Sequence, residues 1–241
     1  MKIGVLQCGL VHEALVPDFG EYDQVFGNWL GAHDPSLSFQ GWVVEHGELP
    51  DSPADADGYI LSGSKHGVYE DHDWLPPLKD FIRACAAAKV PMIGVCFGHQ
   101  VIAEALGGKA EKSDKGWGLG RGEYETIALP SWMADAPGQI AIHAVHQDQV
   151  VQTPPDATTV ARSPFCEHAA LVYGDVENPY AISIQPHPEF TDKFLSDLVT
   201  VRRGTVFDED LSDKAIGGTG QELSRDWAAR WFIDFLKKHR A

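Results

Sequence analysis

An α/β fold is expected from three features of the 241-residue sequence: β-rich runs alternating with helical stretches early on, turn-rich apolar runs in the middle, and an amphipathic C-terminal segment. Runs at 2–7, 41–45, 58–61 and 90–95 are rich in apolar and β-forming residues, as strands covered on both faces read. The pattern predicts three layers, a mostly parallel central sheet with helices on both faces.

Between the last two of these runs, Pro76 and Pro77 precede Leu78, Phe81, Ile82 and Cys85, apolar positions at helical spacing with proline at an acceptable start. This predicts a crossover helix. From 121 to 185 the helical signal fades, and runs at 139–145, 168–173 and 180–185 read as strands separated by Pro, Gly and Asp turns, so a mixed or antiparallel edge is expected. Near the end, Trp227, Trp231 and Phe235 recur every four residues beside Ala228, Phe232 and Leu236, a wide apolar face suited to capping the sheet. The stretch 204–220, rich in Asp and Gly, reads as a mobile connection that could serve as a lid, with an ordinary solvated connection preferred.

With 44% hydrophobic residues the chain can bury one full core, so residues 1–241 are expected to form one domain. A net charge of −16 disfavours nucleic-acid and membrane-surface partners. No run of eighteen apolar residues occurs, and MKIGVLQCGL lacks the apolar segment of a secretory signal, so a cytoplasmic protein is expected. The scattered Cys8, Cys85, Cys96 and Cys166 fit a reducing compartment. Histidines such as His99, His143 and His146 show no paired ligand spacing, so neither a metal nor another cofactor is expected.

The most informative stretch is Gly94-Val95-Cys96-Phe97-Gly98-His99-Gln100, which follows a β-run and opens a short apolar helix closed by Gly107-Gly108. It reads as a strand-to-helix elbow that lifts a nucleophile above the sheet edge, with glycines where a Cβ would collide with backbone. A sulfur at a helix N-terminus meets unpaired N–H groups and the positive dipole end, which favours the attacking thiolate. Cys8 reads instead as a buried packing residue.

This elbow resembles the Gly-x-Cys-x-Gly-x-Gln motif of the class I glutamine amidotransferases. The resemblance extends over roughly residues 1–190, because Gln185-Pro186-His187-Pro188-Glu189-Phe190 resembles that family's second motif. It implies a flavodoxin-like glutaminase fold and a triad of Cys96, His187 and Glu189. His187 would take the thiol proton and later protonate the departing amine, while Glu189 orients the ring. With one residue between them, both side chains can project from one face of an extended segment.

The oxyanion of a thioester-forming intermediate needs donors. The N–H of Phe97 is the natural first one. Ser62-Gly63-Ser64 resembles the family's oxyanion loop, usually Ser-Gly-Gly-Pro, and implies Ser64 as the second; it departs from that form at Ser64 and through Lys65-His66-Gly67-Val68-Tyr69-Glu70-Asp71. Gly63, Gln100 and, within Val145-His146-Gln147-Asp148-Gln149-Val150, Asp148 fall where the family contacts its substrate.

The resemblance implies hydrolysis of the γ-amide of glutamine to glutamate and ammonia through a γ-glutamyl thioester, with a small-molecule substrate and room for a separate synthase subunit as partner. No pyrophosphatase loop or P-loop signature is found in the sequence. The same triad in a γ-glutamyl peptide hydrolase is the alternative, supported by the Ser64 departure. A catalytically idle binding protein is the third reading, opposed by the intact triad.

Overall fold

Side-chain alternation along the central strands sorts the core into two apolar layers. In the computed structural model, which describes residues 1–133 and 135–238, Ile3 and Val5 of β1 (Lys2–Gln7) join one layer and Leu6 the other. Ile60 and Leu61 of β3 (Gly58–Leu61) divide likewise, as do Ile93 and Met92 of β4 (Met92–Val95). A period of two with both faces apolar demands helices on each side.

One face is covered by α2 (Tyr22–His33), preceded by the single turn α1 (Val16–Phe19), which the chain reaches before β2 (Ser38–Val43). The other is covered by α3 (Leu75–Ala88) and α4 (Phe97–Ala105). The chain continues through β5 (Lys109–Lys112), β6 (Gly118–Thr126), β7 (Gln139–His146), β8 (Asp148–Gln152), β9 (Ala157–Arg162), β10 (Ala170–Tyr173) and β11 (Ala181–Ile184). It ends in α5 (Asp192–Arg202), α6 (Glu209–Gly217) and α7 (Arg225–Lys238). None of the described helices is long and apolar enough to cross a membrane.

The strand order is β2-β1-β3-β4-β11-β10-β9-β6-β7, with β5 and β8 paired separately. Pairing is parallel from β2 to β11 and antiparallel from β11 to β7, so the antiparallel part is larger than an edge. The crossover helix and the capping helix occur as expected. Trp227, Trp231 and Phe235 of α7 are buried, each contributing about 1.5–3 kcal/mol by burial.

Two expectations are corrected. The strand expected at 41–45 runs instead over Ser38–Val43, because Ser38 pairs in register with Lys2 and the chain turns at Val44–His46 into Gly47 at φ 84°. The stretch 204–220 is not an open connection. Asp208 Oδ1 caps α6 by accepting the Leu211 N–H at 2.8 Å, and Phe207 is buried edge-on against Trp117 at 5.0 Å.

Candidate active site

Cys96 stands between β4 and α4 with φ 54° and ψ −104°, a conformation an L-residue holds only under constraint. Backbone supplies that constraint: the Cys96 N–H donates to Ile184 O at 2.9 Å, and the Gly98 N–H donates to Ser62 O at 3.0 Å. A Cβ on Gly94 would lie 2.5 Å from the Gly98 carbonyl oxygen, and one on Gly98 would overlap the Leu61 carbonyl. The glycines therefore let β3, β4 and the elbow close on one another. With the Gly98 N–H committed to Ser62, the Phe97 N–H at the first helical position lacks an acceptor in its own helix.

His187 and Glu189 follow β11 and approach from the other side. The His187 N–H donates to His143 O at 2.7 Å, and its ring stacks on Phe190 with centroids 4.1 Å apart. Nδ1 meets Glu189 Oε1 at 2.7 Å, and the ring lines one small pocket with Cys96, whose Sγ lies 3.9 Å from Val145 O. All three groups are at most 6% exposed. Burial alone would lower the affinity of His187 for a second proton; the Glu189 carboxylate and the Cys96 sulfur outweigh it and raise the imidazole pKa. Arg225 pins the Glu189 turn, donating from Nε to Pro188 O at 2.9 Å and from Nη2 to Glu189 O at 3.2 Å.

Cys8, Cys85 and Cys166 are buried, and burial pushes their pKa values up, to about 12 for Cys85 and Cys166. Cys96 borders an open cleft of about 430 Å³ whose wall includes Ser64, Lys65, Tyr69, Lys112 and Arg202.

The residues expected to bind substrate separate. Gly63 sits against His187: an added Cβ would lie 2.9 Å from His187 Cε1, so its lack of a side chain makes room for the ring. Gln100 borders the cleft, but its Nε2 donates to Asp148 O at 2.9 Å and to Gln185 Oε1 at 3.1 Å, which ties α4 to β8 and to the residue that follows β11. Asp148 and Tyr69 both line the cleft; burial raises the Asp148 carboxyl pKa, with Tyr69 and Lys112 opposing. Ser64 borders the cleft together with Cys96, and its Oγ accepts the His66 N–H at 3.2 Å.

Lys112 and Arg202 in the cleft wall were not singled out from the sequence. They arrive from β5 and the end of α5, and no motif signals a cation brought in from so far along the chain. In chemical terms the arrangement offers a thiol beside an imidazole held by a carboxylate, an unused N–H, and a cleft carrying both charge signs.

A protein-family model described as glutamine amidotransferase class-I matches residues 41–196, a span containing the elbow and the His-Pro-Glu turn. Gamma-glutamyl peptidase 3 of Arabidopsis thaliana is 31% identical over 207 residues, covering 82% of this chain and 80% of that protein. A glutamine-hydrolyzing GMP synthase of Tolumonas auensis is 31% identical over 188 residues, 75% of this chain but 34% of its own length. Among solved structures, a glutamine amidotransferase from Thermotoga maritima shares the fold with a TM-score of 0.75 at 17% identity, over 100% of this chain and 99% of that one.

Proposed function

Because the chain belongs to the class-I glutamine amidotransferase family, we propose that it hydrolyses γ-glutamyl amides through a γ-glutamyl thioester on Cys96. The observation that supports this reading is that buried His187, with Nδ1 2.7 Å from Glu189 Oε1, lines one small pocket together with Cys96.

The sulfur attacks the γ-carbonyl carbon, and the resulting oxyanion is met by the Phe97 N–H and by a backbone donor of the Ser64 loop. His187, as the imidazolium, protonates the departing nitrogen as the C–N bond breaks. Water then attacks the thioester while His187 takes its proton, and glutamate leaves as the thiol is regenerated. Glu189 keeps the ring in one orientation and stabilises its charged form.

The leaving group we favour is the amine of a γ-glutamyl peptide. The cleft extends beyond Cys96 to Lys65, Lys112 and Arg202, cations suited to a carboxylate that ammonia does not have. Similarity to gamma-glutamyl peptidases over 80% of the length of one of them supports the same choice. A second reading, glutamine hydrolysis feeding ammonia to a separate synthase subunit, draws on the similarity to GMP synthases.

Incubating the purified protein with glutamine and with a γ-glutamyl dipeptide, beside a Cys96→Ala control, distinguishes these. Faster glutamate release from the dipeptide supports the peptidase reading. Faster release from glutamine favours the amidotransferase reading, and release that survives Cys96→Ala rejects both.

A further inference from the structure

The loop beside the cleft carries a side-chain cluster for which this hydrolysis has no use. His66 Nδ1 lies 3.2 Å from Glu70 Oε2, and His72 Nε2 lies 2.7 Å from the same oxygen. The three donor atoms all fall within 4.8 Å of one another. Trp74 orients both rings: His72 stacks on it at 5.5 Å and 11°, and His66 meets it near edge-on at 5.7 Å. We propose that His66, Glu70 and His72 form a binding site for a divalent transition-metal ion, zinc by its donor preferences.

The donor set is the first argument. Two imidazole nitrogens and one carboxylate oxygen are ligands zinc takes at about 2.0–2.2 Å, which in tetrahedral geometry sets them roughly 3.3 Å apart. The separations of 2.7 and 3.2 Å need only small side-chain adjustments to reach that spacing. The three side chains are 18%, 40% and 30% exposed, so the fourth coordination position is open to water or to a ligand carboxylate.

The proton inventory of His66 is the second, independent argument. Its other nitrogen, Nε2, lies 3.1 Å from Glu45 Oε1, so the ring faces a carboxylate on each side. A neutral imidazole has one N–H and can satisfy only one of them. A metal ion on Nδ1 removes the conflict, leaving the Nε2 proton to donate to Glu45 in the carboxylate–histidine–metal pattern that orients such ligands. Lys65 Nζ, 3.1 Å from the same Glu45 oxygen, balances the outer carboxylate. An imidazolium also serves both carboxylates, so metal and proton compete for Nδ1.

His66 and Glu70 both border the cleft, so an ion here would add positive charge to its wall and tie 66–72 together. Zinc also binds thiolates, and Cys96 beside His187 is a competing site, so the test uses the full chain carrying Cys96→Ala. After treatment with a chelator and its removal, the protein is titrated with zinc by calorimetry, with circular dichroism checking the fold of each variant. One equivalent is expected to bind, and His72→Ala and Glu70→Gln each abolish it in folded protein. Glu45→Gln, which removes the outer carboxylate, is expected to weaken binding about 10–100-fold. No saturable binding, or one equivalent retained by folded Glu70→Gln, overturns the site. Glu70→Gln preserves side-chain shape, so the proposal stays falsifiable if His72→Ala does not fold.

Discussion

The Cys96 elbow and the loop beside it on the cleft are held by different forces. At the elbow, backbone hydrogen bonds to Ile184 and Ser62 and the close approach at Gly94 and Gly98 hold Cys96 at φ 54°. In the loop, side chains and their charges do the holding: Lys65 and His66 on Glu45, His66 and His72 on Glu70. Backbone constraints of the first kind are insensitive to pH and salt, whereas partly exposed ion pairs respond to both. Under the proposed hydrolysis, the part set by backbone would then lie on one wall and the adjustable part on the other.

The comparison predicts its largest effect at the triad. His187→Ala is expected to lower kcat/KM by about a thousandfold or more, since members of such a unit act together. Steady-state kinetics with folded variant protein checks this, and a loss below tenfold would remove His187 from the reaction. Next comes Gly98→Ala, whose methyl would overlap the Leu61 carbonyl. A loss of about 1–3 kcal/mol in denaturant unfolding is expected from such overpacking, more than for Lys65→Ala in the loop. Equal losses for the two would dissolve the contrast.

Much of the elbow side was legible in the sequence. The runs 2–7 and 58–61 became β1 and β3 with those bounds, since residues buried on both faces leave an unbroken apolar signature. The Cys96 elbow and the His-Pro-Glu turn stand out because each is a short run of neighbouring residues. The antiparallel half was harder. β5 is Lys-Ala-Glu-Lys with one buried residue, and α6 buries only Ser212 and Ala215, so neither shows a readable periodicity. The contacts of Gly63 and Gln100 were also hidden, because each has a neighbour far along the chain, His187 for one and Asp148 and Gln185 for the other.

Acid should also loosen the core behind the elbow. Burial holds His99 at about 3 and His146 at about 4, below the ordinary imidazole value of 6.5. Unfolding lets both rings take up protons, so their contribution is complete above pH 6.5 and is lost as pH falls toward 4. The expected slope is up to about 1.4 kcal/mol per pH unit for each ring. Denaturant titrations at several pH values across that window test it, and a flat profile would contradict neutral burial. His187 works the other way: its raised value gives stability that is fully present below the ordinary imidazole range and is lost as pH rises through the elevated one.

The smallest expected effect is in the loop. Replacing Ser64-Lys65 by Gly-Pro removes the hydroxyl that holds the His66 N–H and the cation on Glu45. Relative kcat/KM for glutamine and a γ-glutamyl dipeptide should shift by about tenfold, the scale of one charged contact. A common change in both values would mean that the loop acts only through its backbone.

The central claim, that Cys96 is the reacting thiol, is tested most directly by competition among the four cysteines for a glutamine-like chloroketone. After brief labelling at neutral pH, peptide mapping by mass spectrometry should find the adduct on Cys96, with loss of hydrolysis in proportion to labelling. Cys8, Cys85 and Cys166, buried and with raised thiol pKa values, should remain unmodified. Modification of Cys8 or Cys166 ahead of Cys96, or full labelling of Cys96 with hydrolysis intact, would contradict the account.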